Sequence, residues 1–272
     1  MREIACDESG YEGEKLIDGT KDVFAHASLD VGPDAAARWL AELRRRVGSP
    51  ATQYKSGHLL RDKSRPVLEW FLGPDGPVHG RGHVFLIDKA YWVTTRVADL
   101  FGVPVTDPSP RFLAAANDLL RGKDQPGVVG EFFRVAPELS GGWERAELFR
   151  AWLREDPVTN SVLDPLVPAI VAAVRFWGPV TVVHDRQTQL PAARIARIAE
   201  LCGGDLLGMR FLDAASHPRI QLADILAGTV RSIASDGRAG RGDPVLAGLA
   251  APYVDADSIR PARAAGTTAA GG

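Results

Sequence analysis

The feature that most constrains the fold is an alternation of strand-like and helix-like segments in the second half of the chain. Residues 180–184 and 205–211 are short apolar runs typical of buried strands, and residues 191–202 and 218–233 have helical spacing. Such strand–helix–strand units form parallel sheets with helices on their faces. The pattern predicts an α/β fold.

The first half predicts a hairpin followed by a third strand. Residues 2–6 form a short strand that ends at Asp7, and residues 23–29 form a second strand after a glycine-punctuated loop. A compact apolar strand over 84–87 leads into an amphipathic helix over 91–101.

Prolines break residues 102–160 into short pieces, with helical stretches near 111–121 and 143–154. We interpret this region as a helical insertion, which is also a candidate surface for a protein partner. The chain has 272 residues, long for one domain and short for two. We therefore expect a single domain over 1–253 that contains the insertion, followed by a disordered tail over 254–272.

Three aspartates stand where α/β proteins place functional groups. Asp7 ends the first strand and Asp185 follows the strand over 180–184; ligands commonly bind beyond the carboxyl ends of such strands. Asp224 lies within an otherwise apolar helix, on one stripe with Gln221 and Gly228. Three carboxylates of this kind are what hard divalent cations need.

Each aspartate also has a structural alternative. Asp7 has the residue type that caps turns, Asp185 has the type that caps a helix or pairs with Arg186, and Asp224 has arginines nearby at 219 and 231. These alternatives stay open at the level of the sequence.

Five short motifs, in order over about residues 3–235, resemble the successive signatures of the bacterial family called domain of unknown function 3800. This family is placed in the ribonuclease H-like superfamily. The motifs are Asp7-Glu8-Ser9-Gly10, Tyr54-Lys55-Ser56, Phe85-Leu86-Ile87-Asp88-Lys89, Val183-His184-Asp185-Arg186-Gln187 and Gln221-Leu222-Ala223-Asp224-Ile225-Leu226-Ala227-Gly228.

The resemblance implies a ribonuclease H-like fold: a mixed five-stranded sheet flanked by helices, whose first three strands form an antiparallel meander. It implies that Asp7, Asp185 and Asp224 bind Mg²⁺ or Mn²⁺. One position departs from the family pattern, because Gln53 stands where members often carry Glu. A neutral amide binds a metal weakly, so Glu8, Asp62 or Asp88 is a candidate substitute.

Further side chains are candidates for contact with the substrate. Lys55 and Arg186 have the charge to support a phosphate, and Lys55 is a candidate catalytic residue. The alternative for Lys55 is a solvated loop lysine, and the alternative for Arg186 is that it orients Asp185. Ser9, Gln53 and Gln221 are candidates of lower rank. His58 is a candidate proton shuttle, whereas His184 precedes Asp185 on its strand and should point to the opposite face, where it packs.

Composition and missing motifs exclude several classes. The net charge of −2 argues against a surface that coats nucleic acid non-specifically, but not against a local basic groove. No CxxC pair, P-loop, GxGxxG helix start or GxSxG elbow is present. No run is long and apolar enough to span a membrane, and we expect a cytoplasmic protein.

The leading hypothesis is a divalent-metal-dependent nuclease acting on DNA or RNA, with Asp7, Asp185 and Asp224 as metal ligands and Lys55 at the phosphate. A second is a catalytically inactive ribonuclease H-like module that binds nucleic acid or a protein partner. A third is a metal-dependent hydrolase of small phosphorylated molecules.

Overall fold

The computed structural model of the chain describes residues 2–48, 55–123, 125–186 and 190–261. These residues contain a five-stranded sheet flanked by helices. The strands are β1 Arg2–Ser9, β2 Val23–Leu29, β3 Gly82–Asp88, β4 Val180–Asp185 and β5 Leu206–Leu212. The helices are α1 Pro33–Val47, α2 Ser56–Leu59, α3 Arg65–Leu72, α4 Lys89–Phe101, α5 Pro110–Leu120, α6 Val128–Val135, α7 Trp143–Glu155, α8 Leu166–Trp177, α9 Ala192–Leu201, α10 Pro218–Arg238 and α11 Pro244–Ala250.

The strands are ordered β3-β2-β1-β4-β5. β1, β2 and β3 form an antiparallel meander, whereas β4 runs parallel to β1 and β5 runs parallel to β4. The predicted hairpin and the predicted parallel strands are therefore both confirmed. Because β1 and β4 are adjacent and parallel, their carboxyl ends meet at the same edge of the sheet.

Each face of the sheet carries its own apolar layer, because strand side chains alternate between the two faces. On one face, Ile4, Phe24 and Val182 pack with α4, α8 and the helices of the insertion. On the other, Ala25 and Leu29 pack with α1, α3 and α10. The long helix α10 lies across β1 and β2, and this contact brings its polar stripe to the end of β1.

The insertion is continuous with the first apolar layer. The ring of Phe132 on α6 stacks on Phe101 of α4 at 5.5 Å between centroids and contacts Phe112 of α5. Arg150 of α7 is 1% exposed and donates hydrogen bonds to the carbonyls of Leu119 and Lys123. The predicted helices of this region are present and share the core of the sheet.

The segment after α11 differs from the sequence-based expectation, which began a disordered tail at residue 254. Val254 and Ile259 pair with β3, and the N–H groups of Asp255 and Ile259 donate to the carbonyls of Val84 and Leu86 at 2.9 Å. Hydrogen bonds to the open edge of β3 order these residues. Residues 262–272 lie outside the described residues. No helix of the described chain has the length and apolar character needed to cross a membrane.

Candidate active site

Strand register places Asp7 and Asp185 side by side. Cys6 of β1 is paired with His184 of β4, so the next residue on each strand is an aspartate at the shared carboxyl edge. Both aspartates point to the face covered by α10, because their neighbours Cys6 and His184 point to the other face. This is the juxtaposition that the strand-end argument predicts.

The Asp7 carboxyl group is in an electrostatically unfavourable position. Asp7 is 5% exposed, and its Oδ1 accepts a hydrogen bond from the N–H of Glu8 at 2.8 Å. Burial raises the pKa of Asp7 to about 9, and the negative charges of Glu8, Asp224 and Asp185 contribute to the rise. Three other carboxylates are thus close enough to affect Asp7.

Asp224 faces this cluster from α10, where Leu222, Ile225 and Leu226 hold the opposite side of the helix in the core. The Nζ of Lys55, which precedes α2, lies 2.8 Å from Oδ2 of Asp224. The arginines at 219 and 231 are therefore not its partners. Burial raises the pKa of Asp224, although the bond to Lys55 opposes this effect.

Lys55 neutralises part of the carboxylate charge. Burial by itself would lower the pKa of Lys55, but the hydrogen bond to Asp224 and the charges of Asp7 and Asp185 leave its pKa above the ordinary value. The side chain remains 60% exposed, so its ammonium group is accessible from solvent. A candidate catalytic lysine and three candidate metal ligands are therefore joined by contact or by charge.

A glycine lets α2 approach α10 closely enough to place Lys55. A Cβ atom on Gly228 would lie 2.2 Å from Oγ of Ser56 and 3.6 Å from Oγ of Ser9. No larger side chain fits without moving Ser56, which follows Lys55 directly. Gly228 lies one helical turn beyond Asp224, as the stripe in the sequence predicts.

Asp185 has a structural partner as well as its place in the cluster. Its Oδ1 accepts a hydrogen bond from the N–H of Ala214 at 2.9 Å, which fixes the turn after β5. Arg186 is the exposed residue that follows β4. One expectation was that Asp185 caps the helix that follows it in the sequence. In the structure, its carboxylate instead binds the backbone of the turn that follows β5.

Two of the lower-ranked candidates have contacts within the protein. The amide of Gln221 donates to the carbonyl of Ala215 at 3.0 Å and accepts from Arg44 at 3.3 Å, so this 7% exposed side chain joins α10 to a turn and to α1. These contacts give Gln221 a structural role, and its contact with substrate stays a prediction. Oγ of Ser9 accepts a hydrogen bond from Nε of Arg231 at 3.0 Å. Gln53 lies outside the described residues.

The proposed substitutes for the missing Glu occupy different places. Asp88 caps α4 through the N–H of Tyr91 and binds Arg238, and Asp62 is exposed at the start of a short 3-10 turn. Glu8 contributes negative charge to Asp7, but it lies on the opposite face of β1. Its Oε2 is 3.8 Å from Nε2 of His184.

Two buried histidines lie behind the acidic cluster. Nε2 of His184 is 3.2 Å from Nε2 of His26, and both side chains are fully buried. Burial lowers the pKa of His184 to about 4 and lowers the pKa of His26 well below its ordinary value. The alternation of strand side chains predicts the inward position of His184, whereas nothing in the sequence identified His26 as its partner. His58, the candidate proton shuttle, has Nδ1 3.4 Å from the backbone nitrogen of Lys55.

The donor chemistry of the cluster fits a hard divalent cation, because carboxylate oxygens with excess negative charge are what Mg²⁺ and Mn²⁺ prefer. The arrangement is not that of a finished metal centre. Within the four described stretches, no three or more His, Cys, Asp or Glu side chains are grouped so that they could hold a metal ion. Asp224 instead binds Lys55.

Comparison of the chain with protein-family models, with curated proteins and with solved structures gives no match. The family resemblance of the five motifs therefore stays a prediction.

Proposed function

We propose that this protein is a divalent-metal-dependent phosphodiesterase of the ribonuclease H-like type that hydrolyses nucleic acid. The observation that carries the proposal is the burial of Asp7 beside Asp185, Asp224 and Glu8. Burying like charges together costs free energy that a bound cation or an approaching proton would recover. Groups with such perturbed pKa values concentrate at functional sites.

The placement of the acids supports the same proposal. Asp7 lies in the first strand, Asp185 ends the fourth strand, and Asp224 lies in the helix that follows the fifth. These are the positions that the resemblance to ribonuclease H-like nucleases implies. The antiparallel meander β1–β3, continued by the parallel strands β4 and β5, agrees with the sheet expected of that superfamily.

Each residue of the cluster has a distinct proposed role. Asp7, Asp185 and Asp224 would hold the cations, which when bound supply a Lewis acid for phosphodiester hydrolysis. Lys55, released from Asp224, has the charge and exposure to contact a non-bridging phosphate oxygen. The hydrogen bonds to Asp7 and Asp185 from the N–H groups of Glu8 and Ala214 keep the two carboxylates oriented. DNA and RNA both fit this chemistry.

A second candidate is a non-catalytic module of the same fold, and the Lys55–Asp224 ion pair favours it. A permanent pair would keep a positive charge where a metal ion should bind. In that case α7 offers a partner surface, because Leu148 is 64% exposed and Trp152 is 40% exposed.

A nuclease panel separates the two candidates. Single- and double-stranded DNA and RNA are incubated with Mg²⁺ or Mn²⁺ and with wild type, Asp7→Asn, Asp224→Asn, or the control Asp236→Asn. Asp236 is an exposed acid of α10 that pairs with Arg241. Cleavage by wild type and the control, with loss in both other variants, supports the enzyme. No cleavage by wild type, or equal cleavage by all four proteins, overturns it.

A further inference from the structure

Arg231 lies on the stripe of α10 that faces the candidate site. It follows Asp224 by seven residues and Gly228 by three, so the three residues lie on one side of the helix. Its Nε donates a hydrogen bond to Oγ of Ser9 at 3.0 Å. Ser9 and Asp7 point to the same face of β1. The guanidinium group is therefore anchored two residues along the strand from the buried carboxylate.

The contacts of this guanidinium group are neutral. Besides Ser9, its Nη2 donates to Oγ of Ser232 at 3.0 Å. No carboxylate of the described residues lies within 4.0 Å of it, and the charges of Asp22 and Asp236 act only from farther away. Burial lowers the pKa of Arg231, which is half-buried. A half-buried cation whose hydrogen bonds go only to hydroxyl groups is suited to an anionic partner.

The neighbouring arginines are different. Arg238, two turns farther along α10, is bound to Asp88 and Asp22, and Arg241 is bound to Asp236. Carboxylates of the protein thus neutralise these two side chains. Among these three arginines, Arg231 is the one that forms no ion pair with a carboxylate of the described residues.

Gly10 gives Arg231 the space to lie across the end of β1. Gly10 has φ +84°, a conformation that strongly favours glycine. A Cβ atom there would lie 2.4 Å from the carbonyl oxygen of Val23 and 3.0 Å from Cδ of Arg231. The strand end is therefore shaped to accommodate the stem of this arginine.

We propose that Arg231 and Ser9 form a subsite for a backbone phosphate of the nucleic acid, next to the position of the scissile phosphate. The guanidinium fork matches two phosphate oxygens. Ser9 accepts its hydrogen bond from Arg231, which leaves the hydroxyl proton of Ser9 to donate to the same phosphate. This inference rests on the proposed function, and it adds a substrate-binding residue that the sequence motifs did not indicate.

Binding of fluorescent single- and double-stranded oligonucleotides tests the subsite without relying on cleavage. Affinities are measured from 50 to 200 mM NaCl with Ca²⁺ replacing Mg²⁺, and gels verify that the probe stays intact. The proteins are wild type, Arg231→Gln, Arg231→Lys and the matched control Arg238→Gln. Melting temperatures show whether each variant is folded.

We expect Arg231→Gln to weaken binding about tenfold. The slope of log affinity against log salt should fall by about 0.7 to 0.9, the loss of one phosphate contact. Arg231→Lys keeps the charge but loses the fork, so it should keep the slope and bind more weakly than wild type. Affinity equal to wild type in this variant would count against the subsite, which preserves the test if Arg231→Gln does not fold. Arg238→Gln should stay within about twofold of wild type.

Two results would overturn the subsite. If wild type binds and cleaves while Arg231→Gln behaves like Arg238→Gln, the subsite is wrong and the proposed function stands. If wild type binds no oligonucleotide, both are wrong.

Discussion

The ammonium nitrogen of Lys55 lies 2.8 Å from Oδ2 of Asp224, and this ion pair joins the start of α2 to the middle of α10. The lysine faces a cluster in which the charge of Asp185 raises the pKa of both Asp7 and Asp224. A cation from solution would compete with Lys55 for Asp224. The released ammonium group would then be available to a phosphate.

Replacing Lys55 with methionine tests this role. We expect Lys55→Met to lower the cleavage rate by about 10²-fold, the usual loss when a charged or polar group that stabilises a transition state is removed. Lys55 is largely exposed but Asp224 is not, so the substitution leaves a shielded carboxylate without its partner and should lower the free energy of unfolding by about 1–3 kcal/mol. Cleavage assays and urea titrations measure the two effects. Unchanged cleavage would remove Lys55 from the catalytic residues.

Asp7 should make the stability of the protein depend on pH. An unfolded aspartate titrates near 3.9, whereas folded Asp7 titrates near 9. The folded state therefore holds an extra proton between these values, and the contribution of Asp7 to stability is full below about pH 4 and is lost as the pH rises through 9. We expect Asp7→Asn, measured in EDTA at pH 8, to be more stable than wild type by at least about 1 kcal/mol, the equivalent of one pKa unit.

Urea unfolding from pH 5 to pH 9 measures this difference, with Asp236→Asn as the exposed control. The curve for Asp7→Asn should be flatter than the curves for wild type and the control. Three parallel curves would show that Asp7 is not electrostatically unfavourable.

The packing of Gly228 against Ser56 predicts a rescue. Gly228→Ala places a methyl group 2.2 Å from Oγ of Ser56, so it should destabilise the fold by about 1–3 kcal/mol and displace Lys55. The double variant Gly228→Ala/Ser56→Gly removes the clash and should recover most of the loss. Gly237→Ala, on the same helix with no atom within 4 Å of its Cβ position, is the matched control and should be neutral or slightly stabilising. Absence of rescue would mean that another contact limits this position.

The buried pair His26 and His184 should destabilise the protein in mild acid. Burial lowers the pKa of His184 from 6.5 to about 4, so the unfolded state binds more protons between these values. Stability is therefore present above about pH 6.5 and is lost as the pH falls toward 4, by on the order of 3 kcal/mol for this residue. His184→Gln should flatten the stability curve from pH 7 to pH 4.5, whereas His79→Gln, an exposed control, should not. If stability depended on pH with the same slope in wild type, His184→Gln and His79→Gln, the lowered pKa of His184 would be contradicted.

Local patterns in the sequence were sufficient for the strands, the long helices and the positions of the three aspartates. Apolar periodicity identifies a helix or a strand, and the end of a strand shows which residues lie at the carboxyl edge of the sheet. Neither inference needs knowledge of distant contacts. The same reasoning placed His184 on the face opposite Asp185, because alternation along a strand is a local property.

Contacts between distant residues were not accessible in this way. Arg231 meets Ser9 across 222 positions, and His26 meets His184 across 158. The spacing of apolar residues in the sequence does not indicate which distant side chains come into contact in the folded sheet. The sequence predicted disorder for residues 254–259 because they show no apolar pattern. In the structure they are ordered by backbone hydrogen bonds to β3, which is distant in the sequence.

Binding of Mn²⁺, measured by isothermal titration calorimetry, tests the central claim most directly. Wild type and Asp236→Asn should bind at least one ion, and Asp7→Asn should bind it at least tenfold more weakly, because Asp7 supplies both a ligand and the unfavourable charge that the ion relieves. Absence of binding to wild type, or equal affinity in Asp7→Asn, would contradict a metal-dependent role for the cluster.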